Sequence, residues 1–371
     1  MRRLIFTFFS FFLIRTAGAQ PLPQEFSILP PAEAPSLRLE SQVFSSYSYI
    51  NSEGSSFNEF DLTRAELGAW LFPKSAFGGE LRLEAIRSAG RESVMGIDRD
   101  SLVVRVKRAW AFARVSTKRV DLEGRLGLIP DPWIETIESV YDFRGIAQTL
   151  GQRAGFFDTS DLGVGLLLQA FEQRLIVSAA IQNGEGRNQI EQNNDKNITL
   201  VAKYRGFRFG TLGGQGTVHL VAGGRLGSVG AAGGRTHRMM GALTVSHPTY
   251  SAGLEYVRAL GTEIEPARTS NSLGAWLSGY SSPYRTGVVL RGDFIDQTEG
   301  RGGDLETQIT GGLYTDLVNV VPSRRVRLYV VSRWDKFGTN AAPSPGVPES
   351  ADSLQFLALL SLHGQAVVGQ K

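Results

Sequence analysis

The chain has 371 residues, 43 of them glycine, with 42% apolar and 20% charged residues, a formal net charge of +3 and no cysteine. Disulfide scaffolds, thiolate metal sites and cysteine nucleophiles are therefore excluded, and interspersed charges with 10% aromatic residues argue against disorder. Beyond the N-terminus no stretch approaches the roughly 18 uncharged apolar residues that a membrane-spanning helix requires, which leaves two soluble domains or one large all-β unit.

The chain opens with Met1-Arg2-Arg3, an apolar run from Leu4 to Ile14 and the small residues Ala17-Gly18-Ala19. This is the pattern of a secretory leader cut after residue 19, and it predicts export. Loss of Arg2, Arg3 and Arg15 with the leader leaves 36 basic residues facing 36 acidic ones. A formally neutral protein has no basic excess with which to bind nucleic acid. Pro21, Pro23, Pro30, Pro31 and Pro35 deny residues 20–35 both helix and ladder, and this segment is read as an extended periplasmic tail.

From Ser36 onward apolar residues recur at every second position, which is strand periodicity. Over 102–115, Leu102, Val104, Val106, Trp110 and Phe112 share one face, with Arg105, Lys107, Ala109 and Ala111 on the other. The same alternation predicts sixteen strands, at about 36–50, 58–72, 76–87, 101–115, 119–129, 161–171, 174–182, 196–206, 215–226, 237–246, 250–260, 271–280, 284–297, 304–318, 324–336 and 352–362. Connections after odd-numbered strands are long (51–57, 88–100, 130–160, 183–195, 227–236, 261–270, 298–303 and 337–351). Those after even-numbered strands are tight, with 207–214 as the one exception. Trp70, Phe72, Phe77, Trp110, Phe112, Phe171, Tyr204, Tyr250, Tyr280 and Tyr284 lie close to the tight turns, where amphipathic rings meet lipid headgroups.

Strands crossing hydrocarbon must pair every backbone N–H and C=O, which demands closure into a ring. The expected fold is thus a transmembrane antiparallel β-barrel of about sixteen strands over 36–371, wide enough for an aqueous channel. Its long connections would lie outside the cell and its short turns in the periplasm.

A charge on the lipid side near mid-depth costs roughly 2–4 kcal/mol for Arg or Lys. The polar faces therefore place Arg82, Glu84, Arg105, Lys107, Glu123, Arg125, Arg291, Asp293, Arg325, Arg327 and Arg333 in the lumen, as a largely basic wall. In 58–72 the pattern is untidy, since Phe60 and Leu62 share a face with Arg64 and Glu66. The connection 130–160, between the fifth and sixth strands, holds Trp133, Ile134, Ile137, Tyr141, Phe143 and Leu150. That is more apolar surface than an exposed loop keeps, so the segment is expected to fold into the barrel. There Asp131, Glu135, Glu138, Asp142, Asp158 and Asp161 against Arg144 and Arg153 would set an acidic insert opposite a basic wall, selecting permeants by charge.

Gly127-Leu-Ile-Pro-Asp-Pro-Trp-Ile134, Tyr141-Asp-Phe-Arg144, Thr159-Ser-Asp-Leu-Gly-Val164, Ile181-Gln-Asn-Gly-Glu-Gly-Arg-Asn188 and Phe60-Asp-Leu-Thr-Arg-Ala-Glu-Leu67 resemble the corresponding stretches of the phosphate-selective porin O and P family. The likeness covers residues 36–205. It implies a sixteen-stranded outer-membrane porin, commonly trimeric, whose third external loop folds inward. The family's phosphate selectivity is attributed to arginine ladders and a lysine cluster, whereas this insert carries only Arg144 and Arg153 among acids. The closing aromatic residue usual in such barrels is also missing, so either Phe356 carries that signal or the tail to Lys371 is an addition.

Two other classes compete. A barrel enzyme needs a nucleophile beside a base, but His219, His237, His247 and His363 stand in no recognisable arrangement, and Leu226 occupies the glycine position that a nucleophile elbow at Ser228 would require. The Asn183–Asp195 connection could hold calcium through its carboxylate and amides. A secreted soluble β-sandwich for binding or adhesion would use the same alternation but has no cause for alternating long and short connections. The reading is a passive, anion-preferring channel for small hydrophilic solutes or ions in a Gram-negative outer membrane. Its partners would be lipid, permeants and two further copies of the chain, with no cofactor, metal or catalysis.

Overall fold

The computed structural model describes residues 36–52, 55–72, 76–87, 102–141, 143–187, 191, 193–211, 214–229, 234–261, 268–321, 324–341 and 352–368. The predicted leader, the 20–35 tail and Asp142 lie outside them.

Sixteen strands close into one antiparallel barrel. In chain order they are β1 (Ser36–Ser52), β2 (Ser55–Phe72), β3 (Phe77–Arg87), β4 (Leu102–Ser116), β5 (Val120–Pro130), β6 (Ser160–Ala170), β7 (Leu175–Gln182) and β8 (Asn197–Thr211). They continue as β9 (Gly214–Leu226), β10 (His237–His247), β11 (Tyr250–Leu260), β12 (Thr269–Ser281), β13 (Thr286–Asp296), β14 (Leu305–Val321), β15 (Arg324–Phe337) and β16 (Ser353–Val368). Each strand pairs with its sequence neighbours, and β16 returns to β1 from Leu37↔Val368 to Ser52↔Ser353. No edge is left to expose unpaired backbone groups. A two-residue ribbon, Ser228–Val229 against Gly234–Arg235, stands beside β9 and β10. Two short helices, α1 (Pro132–Glu138) and α2 (Leu150–Arg153), lie between β5 and β6. Among the described residues no helix is long and apolar enough to cross a membrane.

Alternation divides the side chains as period two requires. Leu81, Val104, Leu126, Leu166, Leu200, Leu243, Leu290 and Val330 are exposed on the outer surface, whereas Glu84, Lys107, Thr199, His219, Glu255, Arg291 and Arg327 are buried inside. The apolar core lies in the barrel interior, between the β5–β6 connection and the wall.

Four expectations are corrected. The long 51–57 connection is not found, because β1 and β2 stay paired up to Ser52↔Ser55. The exception at 207–214 disappears, because β8 runs on to Thr211 and β9 starts at Gly214. The last strand extends to Val368, so the tail through that residue belongs to the pairing that closes the ring.

The fourth correction concerns phase. In β4, Arg82 pairs Arg108 while Leu83 pairs Val106, leaving Lys107 as an extra residue. Such a bulge reverses which side chains face inward. Trp110 and Phe112 therefore turn into the lumen, where they are buried with Trp70 and Phe72 packed against them. Tyr280 is buried inside as well. Of the predicted aromatic belt, Phe77, Phe171, Tyr204 and Tyr284 are outward and exposed. A second bulge at Thr63 separates Phe44↔Arg64 from Ser45↔Leu62. It explains the untidy pattern of β2, since Phe60 packs beside outward-facing Tyr47 while Glu66 is buried within.

Candidate functional site

The β5–β6 connection begins with a helix whose start is chemically specified. Asp131 accepts bonds from the backbone N–H of Trp133 (2.9 Å) and Ile134 (3.1 Å), and Pro132 occupies the first helical position. Both features stabilise a helix N-terminus. Trp133, Ile134, Ile137, Tyr141, Phe143, Ile146 and Leu150 form a buried cluster with wall residues Val201, Val221, Met240, Val257, Trp276, Val289 and Leu359.

Polar ties hold the segment on every side. Arg144 reaches Glu66 of β2 (3.1 Å), and Arg125 of β5 donates to Glu135 (2.7 Å). Lys203 of β8 donates to the Ser139 hydroxyl (3.0 Å), and Arg225 of β9 pairs with Asp131. The Trp133 indole N–H donates to Glu255 of β11 (2.8 Å). Arg153 pairs with Asp293 of β13 (3.4 Å) and with Glu306 of β14. Arg291 of β13 donates to the Tyr141 hydroxyl, and Arg333 of β15 donates to the Ile146 carbonyl. A segment that touches β2, β5, β8, β9, β11, β13, β14 and β15 of a closed ring lies within that ring. Burial pushes the Glu135 carboxyl above its ordinary value against the pull of Arg125, and burial pushes the Tyr141 phenol up to about 12.

The sequence-predicted lining residues divide into groups. Arg82, Glu84, Lys107, Glu123, Arg291, Asp293 and Arg327 are buried inside the barrel, and Arg105, Arg125, Arg325 and Arg333 are half-buried on the same side. They do not form a basic wall. Arg82 meets Glu80 (2.8 Å), Glu40 (2.8 Å) and Glu66 (3.3 Å). Lys107 meets Glu66 (2.5 Å) and Glu84 (3.6 Å), and Arg105 meets Glu84 (2.7 Å). Glu123 is shared by Arg114 (2.7 Å) and Arg125 (2.8 Å), and Arg327 is bidentate on Asp316. Alternation explains this, since Glu80, Arg82 and Glu84 fall on one face of one strand and neutralise one another and their neighbours.

The expected opposition of acidic insert and basic wall is corrected likewise. Asp131, Glu135 and Glu138 are matched by Arg225, Arg125 and Arg144, with Arg108 also 3.7 Å from Glu138. Arg144 and Arg153 carry positive charge from the insert to acids of the wall.

A different sector carries charge of one sign. Strands β7 to β10 contain no Asp or Glu, yet they hold Lys203, Arg205, Arg208, Arg225 and Arg238. Lys203, Arg225 and Arg238 are buried on the inner side. Arg225 and Arg238 stand directly opposite each other on paired strands, above Phe157 and Phe156 respectively. Arg238 is held by the carbonyls of His237 and Gly261, each at 2.9 Å. None of these three was singled out from the sequence. The signal was present, because alternation sets Lys203 opposite Leu200 and Tyr204, Arg225 opposite Leu226, and Arg238 opposite Met239. Among the described residues no cluster of three or more potential metal ligands occurs.

With ring, apolar exterior and charged interior in place, the comparison with solved structures is decisive for architecture. The fold is that of the outer-membrane porins. The chain resembles an anion-selective porin from Comamonas acidovorans (TM-score 0.58, 15% identity, 90% of this chain and 100% of that one). It also resembles OmpT, an outer membrane protein of Vibrio cholerae (0.57, 11%, 90% and 100%), and Pseudomonas aeruginosa OccK1 (0.51, 11%, 91% and 100%). No protein-family model matches the sequence, and no curated protein is similar to it.

Proposed function

We propose that this chain forms a water-filled outer-membrane channel for passive diffusion of small hydrophilic solutes, with a preference for anions. The observation that carries the channel reading is a closed sixteen-stranded ring with apolar residues outside and paired charges inside. Such a surface is stable in hydrocarbon and leaves a polar interior. The anion preference rests on strands β7–β10, which supply cations and no acid of their own against Asp131 of the insert, because an excess of one sign raises the local concentration of counter-ions. The comparison proteins include one described as anion-selective, which agrees with this reading. Phosphate specificity is not part of the proposal, since Arg144 and Arg153 of the insert are engaged by carboxylates.

The proposal carries with it export with cleavage after Ala19, which N-terminal sequencing of the mature protein reads directly, and a homotrimer, which native mass spectrometry in detergent counts. The insert would set the narrowest section. Removing residues 135–150 is expected to raise single-channel conductance about twofold, since pore section governs conduction. Unchanged conductance would place the narrowing elsewhere. Vesicles carrying the protein are expected to swell in small sugars and amino acids, and vesicles that stay impermeable would overturn the channel reading.

A further inference from the structure

The connection that follows β7 places an arginine between carboxylates of the insert and of β3. In Asn183-Gly184-Glu185-Gly186-Arg187, Gly184 and Gly186 have φ of +117° and +79°, a region that favours glycine. A Cβ on Gly186 would lie 2.8 Å from an Asp158 carboxylate oxygen, so only glycine allows this close approach. The Gly184 N–H donates to Asp161 (2.6 Å) and the Arg187 N–H to Asp158 (3.2 Å). The backbone is thereby fastened to the end of the insert and the start of β6.

Arg187 then points inward. Its guanidinium donates to Asp158 of the insert (2.7 Å) and to Glu84 of β3 (2.6 Å), and its side chain is only 5% exposed. Glu84 already holds Arg105 and Lys107. From β7 to β3 is four inter-strand steps, or roughly 19 Å along the wall at about 4.8 Å per step, so the contact crosses a chord of the opening. The residues beneath are covered: Asp161, Gln182 and Asn197, inward-facing at the same end of β6, β7 and β8, are all buried. Arginine suits this post because its rigid fork can hold two carboxylates at once, which a lysine ammonium does less well.

We infer that Arg187 is a specificity-determining residue: it straps residues 183–187 of the β7–β8 connection to β3, closes the β3–β7 side of the mouth and keeps Glu84 and Asp158 neutralised there. This rests on the channel reading. Removing Arg187 should both widen the mouth and leave Glu84 and Asp158 each short of one cation.

The test uses the full chain in planar bilayers and in vesicles. Arg187→Ala is expected to raise single-channel conductance about 1.5-fold and to move the permeability ratio about twofold toward cations, with Arg187→Lys between it and wild type. Because the chain has no cysteine, Gln182→Cys provides a unique reporter for a membrane-impermeant thiol reagent. It should react slowly in the otherwise unaltered protein and at least several-fold faster beside Arg187→Ala. Rapid labelling of Gln182→Cys alone, or equal conductance, ion preference and labelling with and without Arg187, would overturn the strap. Should even the wild-type protein fail to conduct, the channel reading falls, while the labelling rates still decide whether Arg187 covers this side.

Discussion

The walls β1–β5 and β8–β10 are built on the same alternation and both bury cations inside the barrel, yet they differ in what meets those cations. On the first, Glu40, Glu66, Glu80, Glu84 and Glu123 interleave with Arg82, Arg105, Lys107, Arg114 and Arg125. On the second, no carboxylate belongs to the strands at all: Arg238 donates to two carbonyl oxygens and Arg225 pairs with Asp131 of the insert. A tally of arginines therefore says little about the field in the lumen. Pairing decides it, so the first wall is principally structural and the second principally selective.

That difference can be broken at the paired wall first. Glu66 accepts from Lys107, Arg82 and Arg144, and Lys107 is fully buried. Stripping one partner from such a network leaves uncompensated buried charge, so Glu66→Ala is expected to cost about 3–5 kcal/mol. Thermal unfolding in detergent reads this loss, and a variant as stable as wild type would show that the network is loosely solvated.

Next in size is the effect on ion preference. Lys203→Gln with Arg238→Gln is expected to lower the anion-to-cation permeability ratio about threefold, equivalent to roughly 0.6 kcal/mol. Arg105→Gln with Arg125→Gln should change it less, because Glu84 keeps Lys107 and Arg187 and Glu123 keeps Arg114 as partners. Reversal potentials of the two double variants sharpen the comparison, and a larger shift from the paired wall would invert it.

The smallest expected effect concerns pH. Burial raises the Glu135 carboxyl above its ordinary value, so as pH falls from neutrality Glu135 takes up a proton before an ordinary glutamate does. The lumen then loses a negative charge, and wild type should become slightly more anion-preferring on mild acidification. Glu135→Gln should lack that component, because its side chain is neutral throughout. Its stability should be equal to or above wild type near neutrality, since a raised carboxyl pKa disfavours the charged form and this penalty is relieved only as pH falls. Identical pH profiles of ion preference for the two proteins would remove Glu135 from the account.

Much of the fold was legible because strand period is a local property. Leu122, Leu126 and Leu128 against Asp121, Glu123 and Arg125 announce β5 without knowledge of any other strand. Inward direction was harder. Lys107 and Thr63 are bulge residues, visible only from the partner register, and an extra residue in β4 reversed Trp110 and Phe112. Charge pairing was less legible still. That Arg125 would meet Glu135, or Arg187 meet Glu84, depends on how two connections fold into the ring, which no periodicity encodes. The basic sector is legible in alternation alone, since Lys203, Arg225 and Arg238 fall on the polar faces of β8, β9 and β10.

The most direct test of the central claim, that this ring conducts and that its basic β8–β10 wall sets the preference, is the reversal potential of the purified protein in a planar bilayer under a steep potassium chloride gradient. Discrete conductance steps with a reversal potential displaced to the chloride side are the predicted result. Steps that reverse on the potassium side, or a bilayer that stays silent, would contradict it.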